Sequence, residues 1–204
     1  GIVSSTLFCC PYLHALCNLA VFDTSARMPA EKISYALNQR LPEGIRIQRS
    51  EEVAADFHPR KVATRKTYED KIYNAQFANP LERLYSHFTY VSLDVSKMQE
   101  AAKHFVGEHD FAAVSTYKPE VESTVRTIYD ISVTKEENLI KIRVTGNGFL
   151  YNMVRIIAGT LMEVGRGRIE PSQIPGILAS GDREQAGPTA VACGLTLVSY
   201  EFEQ

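Results

Sequence analysis

The chain is 204 residues long, 45% hydrophobic and 23% charged, with 22 basic residues against 24 acidic ones and a pI near 6.2. That is the make-up of one or two soluble globular domains. It excludes a disordered chain and a wholly basic nucleic-acid coat, while leaving room for a local basic cleft, and no apolar run approaches the ~20 residues of a membrane-spanning helix.

The stretch GIVSSTLFCCPYLHALCN at residues 1–18 carries no charge and obeys neither a two-residue nor a 3.6-residue period. Leu19–Phe22 then reads as a short apolar strand, with Thr24 or Ser25 placed to cap the next helix. Pro29 opens that predicted helix over residues 29–41, with Ile33, Ala36, Leu37 and Leu41 on one face. Ile45–Arg49 and Lys66–Tyr73 alternate as strands do. A second helix starts from Ser96 as cap, turning Met98, Ala101, Ala102 and Phe105 inward and ending at Gly107.

Val125–Val133 and Leu139–Val144 form two further strands joined by the polar link Thr134–Asn138. Gly146, Asn147 and Gly148 break the second. A long core-facing helix is predicted over residues 150–164, carrying Leu150, Val154, Ile157, Leu161 and Val164 at helical spacing. Pro171 opens a short helix to about Ser180, and Gly194–Phe202 closes the chain as an alternating strand. Strands interleaved with helices and joined by hairpin-like links predict an α+β protein, two layers around a largely antiparallel sheet. There is no internal repeat or linker, so the default is a single compact unit.

The cysteines stand at 9, 10, 17 and 193, with adjacent Cys9 and Cys10 ill-placed to bridge each other, so they do not make a disulfide framework. The amino terminus has no basic region leading into an apolar core and a cleavage site. Both observations predict a reducing, cytoplasmic setting. Cys10, His14 and Cys17 have gaps of three and two residues, but structural zinc takes four ligands and the sequence has no second pair. Thiols in an apolar stretch are the expected reading, with no metal.

Two segments carry candidate chemistry. Between His58 and Lys71, Arg60, Lys61, Arg65, Lys66 and Lys71 face only Glu69 and Asp70, a local charge of +3 in a chain of −2. Guanidinium forks bind phosphate and a nearby aromatic can stack a base; a solvated edge strand guarded by lysines gives the same pattern. The second segment is GNGFLYNMVRIIAGTLMEVG. It is neither a Walker loop nor a dinucleotide fingerprint. Its informative residue is Arg155, read as lying in the second turn of an apolar helix, near the positive end of the helix dipole. A cation there calls for a carboxylate or phosphate partner, or for a structural ion pair.

The motifs FHPR, RKTY, GEHDF, STVRTI, NGFLYNMVRIIAGTLMEVG and GPTAVACGLTLVSYEF occur in this order and at spacings that resemble the tRNA pseudouridine synthase A family, over roughly His14 to Phe202. The resemblance implies a pseudouridine-synthase fold of two α/β halves with the active cleft between them. It also implies isomerisation of uridine to pseudouridine at positions 38–40 of the tRNA anticodon stem-loop, a homodimer, and no metal or organic cofactor. By the same resemblance Tyr68 packs on the target base, Arg155 pairs with the catalytic aspartate, and Arg60, Arg65 and Lys66 face RNA. Asp70 stands where members have a second aromatic residue.

The family's Arg-Thr-Asp-Ala-Gly-Val precedes a His-Ala-Leu like His14-Ala15-Leu16. Counted back from His14, Cys10 occupies the place of the nucleophilic aspartate and Phe8 that of the base-extruding arginine. Asp23 matches a downstream structural position. Members also carry about fifty residues before the motif, so the first half and its sheet are expected to be incomplete. The implied organisation is an aberrant segment 1–13, the rest of a first half over 14–80 and a second half over 81–204. The implied function is a tRNA pseudouridine synthase lacking its nucleophilic carboxylate, the alternative being a catalytically inactive tRNA-binding module.

Overall fold

The computed structural model describes residues 2–10, 13–59, 62–116 and 121–202, with side chains from Leu13 onward. Its chain order is β1 (Ile2–Cys10), β2 (Leu13–Phe22), α1 (Ala30–Asn38), β3 (Ile45–Glu52), β4 (Thr64–Asn74), β5 (His87–Thr89), α2 (Val95–Ala102), β6 (Gly107–Asp110), β7 (Val125–Glu136), β8 (Leu139–Gly146), α3 (Met153–Gly165), α4 (Ile174–Ser180) and β9 (Leu195–Phe202). Eight strands form one path, β3-β1-β2-β9-β4-β8-β7-β6, and β5 adds to β4. Only the β2–β9 and β4–β5 pairs are parallel; the others are antiparallel. The fold is therefore mixed α/β with helices on a largely antiparallel sheet, as the interleaved periodicities predict. No helix among the described residues is long and apolar enough to cross a membrane.

The core lies between the sheet and α2 and α3. Ile72 of β4, Ile140, Ile142 and Val144 of β8, and Met98, Ile156, Ile157, Leu161 and Val164 of the helices are all fully buried. Each such aliphatic side chain contributes roughly 1.5–3 kcal/mol by leaving water. In α3 every residue is buried except Arg155. The loop over residues 186–190 presses on this helix. A Cβ on Gly159 would sit 1.7 Å from the Pro188 carbonyl oxygen, and one on Gly187 2.6 Å from the Thr160 backbone. The Gly187 amide donates to Thr160 Oγ1, which itself donates to the Ile156 carbonyl.

Several boundaries differ from the sequence reading. The charge-free residues 2–10 and 13–22 form a hairpin, although they lack alternation, because β1 pairs with β2 on one side and β3 on the other. Pro29, not Thr24 or Ser25, precedes the first turn of α1. Its inward face is Ile33 and Ser34, and Leu37 is exposed, because the helix docks on β3 through polar contacts: the Ser34 amide donates to Ser50 Oγ, and Asn38 exchanges two hydrogen bonds with the Ile47 backbone. The cap of α2 is Asp94, whose carboxylate accepts from the Lys97 amide, rather than Ser96. The link between β7 and β8 narrows to Glu137 and Asn138, with Glu137 at φ 52°. Finally, α3 begins at Met153, so Arg155 lies in its first turn rather than the second.

Candidate active site

β4 is central in the sheet, paired with β8 on one side and β9 on the other. Alternation along it places Tyr68, Asp70 and Ile72 on one face, the face covered by α3. Tyr68 meets Phe149 edge to face, ring centroids 5.2 Å apart, and burial pushes its phenol pKa up. Arg155 arrives from α3 held at two points. Its Nε donates to the Ala190 carbonyl at 2.8 Å and its Nη1 to Asn152 Oδ1 at 2.9 Å. Asn152 is the left-handed residue at the helix start, φ 60°, and donates in turn to Thr116. Ala190 closes the clamp by donating its amide to the Arg155 carbonyl. The close glycine packing of the 186–190 loop is thus what fixes the guanidinium.

Tyr68 and Arg155 line one cleft of about 670 Å3, with Leu13, Phe149, Tyr151 and Leu195 among its other walls. The structure therefore brings together the two residues singled out for base packing and charge. Leu13 is the backbone partner of Cys10 in the β1–β2 pairing, so the paired strands carry the Cys10 position to this cleft; the Cys10 side chain lies outside the described residues. So does Arg60. Lys66 lines an adjoining hollow, its ammonium 4.7 Å over the Tyr200 ring. The guanidinium of Arg65 stacks 4.6 Å from the centre of Tyr129. A separate hollow of about 650 Å3 beside Lys103, His104 and His109 is lined by none of the predicted site residues.

Arg155 makes no ion pair with a carboxylate among the described residues; both of its partners are neutral oxygens. The nearby acid is Asp70, which the sequence reading treated only as a lost aromatic. Asp70 is 0% exposed, and neither carboxyl oxygen has a hydrogen-bond partner among the described residues. Burial lifts its pKa to about 7 against the pull of the Arg155 charge. Gly194 leaves it room, since a Cβ there would stand 2.6 Å from Asp70 Oδ1. The one hint in the sequence was a carboxylate in phase with Tyr68 and Ile72 on an alternating strand.

Of the residues weighed for zinc, His14 and Cys17 are otherwise engaged. His14 hydrogen-bonds the Leu84 carbonyl through Nε2 at 2.6 Å and packs on Tyr85. Cys17 donates to the Val198 carbonyl, and burial pushes its thiol up. Cys17 and Cys193 are both free thiols. Among the described residues no three His, Cys, Asp or Glu side chains converge as metal ligands would.

The mixed sheet flanked by helices is a fold of the pseudouridine-synthase class, and it sets an aromatic and a clamped arginine in one central cleft. The model of the family described as tRNA pseudouridine synthase matches residues 101–203. The chain is 50% identical over 191 residues to tRNA pseudouridine synthase A of Ruminiclostridium cellulolyticum, covering 93% of this chain and 78% of that protein. It is 47% identical over 190 residues to the protein of the same name from Acetivibrio thermocellus, covering 93% and 78%. With that of Bacillus subtilis it shares 44% over 192 residues, covering 94% and 77%. The chain belongs to the tRNA pseudouridine synthase family.

Proposed function

We propose that the chain is a tRNA pseudouridine synthase by fold and lineage, whose cleft takes a uridine extruded from positions 38–40 of the anticodon stem-loop. The observation that carries this reading is the convergence of Tyr68 and Arg155 in one cleft of about 670 Å3. Tyr68 offers its ring to the uracil, braced by Phe149. Arg155, oriented by Ala190 and Asn152, offers positive charge where the family's attacking aspartate and the displaced uracil carry negative charge. Arg65 and Lys66 face the phosphates of the arm. The relatives from Ruminiclostridium cellulolyticum and Bacillus subtilis act on tRNA by their names, which agrees with this assignment. We place the chain in the cytoplasm as a homodimer.

In the family's reaction the aspartate attacks the nucleoside, the glycosidic bond breaks, and the uracil rejoins through C5. Here Cys10 holds the aspartate's place and Phe8 the arginine's. A cysteine at that place brings no carboxylate to pair with Arg155. The chain accordingly binds tRNA without isomerising it. Incubation with unmodified tRNA, then cyanoethylation and mass spectrometry, tests this. The expected result is no added mass on any uridine-derived nucleotide; pseudouridine formed by this chain would show that the nucleophile lies elsewhere.

A further inference from the structure

Beside the Tyr68 cleft, and sharing Phe149 with it, is a second hollow of about 450 Å3. Its charged lining is Lys66 and Arg126, with no carboxylate among the lining residues. Arg126 stands on β7, across the sheet from the turn that ends β8. Its Nη1 donates to the Ser123 and Val125 carbonyls at 2.8 and 2.6 Å, which fixes the direction of the guanidinium. Gly148 contributes no side chain above it: a Cβ there would be 3.6 Å from Arg126 Cδ and Nε.

The facing wall is rigid for stated reasons. The Asn147 amide donates to the Thr127 carbonyl, and Asn147 Oδ1 accepts from the Thr127 amide. Gly146 lies so close to β7 that a Cβ would be 2.7 Å from the Thr127 carbonyl oxygen. The hollow also presents Tyr129, which is 37% exposed and already carries the Arg65 guanidinium on its ring. A planar aromatic, two positive side chains and a fixed backbone wall suit a nucleotide: a phosphodiester for the cations and a ring to lie near the tyrosine.

We propose that this hollow is a subsite for the nucleotide adjoining the extruded uridine, with the phosphodiester between the two held by Arg126 and Lys66. The proposal rests on the assignment of tRNA as substrate and adds a positioning residue, Arg126, and a place for the neighbouring nucleotide. Phe149 is the partition: it braces Tyr68 on one side and bounds the neighbour's hollow on the other. A uridine can enter the first cleft with its strand still attached only if the adjoining backbone has somewhere to lie. The second hollow, which shares Phe149 with the first, supplies that place.

The test uses a synthetic anticodon stem-loop RNA, with the two phosphodiesters flanking the target uridine replaced in turn by uncharged methylphosphonates. Replacing one of the two should weaken binding to the unaltered protein roughly tenfold, the scale of a charge-assisted contact. Arg126→Gln should weaken the all-phosphate RNA similarly and lower the salt slope by about 0.7–0.9, and should distinguish the charged from the uncharged RNA less sharply, with Lys66 alone left on that phosphodiester. Arg126→Lys should keep the slope. Indifference of the unaltered protein to both methylphosphonates overturns the subsite while leaving the tRNA assignment intact, and that arm needs no variant to fold. Failure of the unaltered protein to bind the all-phosphate RNA overturns both.

Discussion

Asp70→Asn is the substitution that the buried carboxylate makes most informative. Asp70 is fully enclosed, without a side-chain hydrogen-bond partner among the described residues, and its pKa is raised from 3.8 to about 7. A raised carboxyl pKa means that the folded state holds the proton more tightly than the unfolded chain. Its favourable contribution is complete below pH 3.8 and is lost as pH rises towards 7, after which it stays lost. At ~1.36 kcal/mol per unit, the carboxyl costs the folded state about 2 kcal/mol at pH 5 and about 4 kcal/mol at pH 8. Asparagine is nearly isosteric with the protonated acid and does not titrate, and the tight contact with Gly194 leaves no room for a larger residue. The variant should therefore be more stable than the parent at both pH values. Its advantage should widen by about 2–3 kcal/mol between pH 5 and pH 8. Urea unfolding at the two pH values measures this directly. An advantage that is the same at both would refute the burial of a titrating carboxyl at this place.

Gly159→Ala should destabilise the chain by about 1–3 kcal/mol or more, because its Cβ would enter the Pro188 carbonyl; it should also loosen Arg155, seen as weaker RNA binding in protein that still gives a cooperative melt. Tyr68→Ala should weaken binding of an anticodon stem-loop by about 1–3 kcal/mol, with no loss for the same RNA lacking the target base, as fluorescence anisotropy would report. Cys10→Asp alone should yield no pseudouridine, since Phe8, Pro11 and Tyr12 also depart from the family pattern. Joining a relative's amino-terminal half ahead of His14 should restore product by mass spectrometry, because Tyr68 and Arg155 remain.

Elements were legible in the sequence where periodicity and burial coincide. The stripe Leu150, Val154, Ile157, Leu161 and Val164 is buried throughout, and the alternation of Lys66–Tyr73 is the heart of β4. Caps were harder, since several acceptors compete for one helix start. Asp94 wins over Ser96 because its extended backbone aims the carboxylate at the Lys97 amide. The hairpin of β1 and β2 was hidden because its order comes from partners distant in sequence, β3 and β9, not from a local pattern. Arg155 was visible as a lone cation in an apolar helix, but its clamp on Ala190 spans 35 residues. The burial of Asp70 and the placement of Arg126 were hidden for opposite reasons. Asp70 sat in a charged run that looks solvated, although its central strand buries it. Arg126 sat within an ordinary strand motif, and only the fold sets it opposite Gly148.

The most direct test of the uridine cleft is a photo-crosslink from an anticodon stem-loop carrying 4-thiouridine at the target position, mapped by peptide mass spectrometry. The cleft predicts attachment within the peptide that contains Tyr68 or the one spanning residues 149–155, and loss of the first attachment in Tyr68→Ala. Attachment instead at the Lys103–His109 hollow, with Tyr68 and residues 149–155 unlabelled, would contradict it.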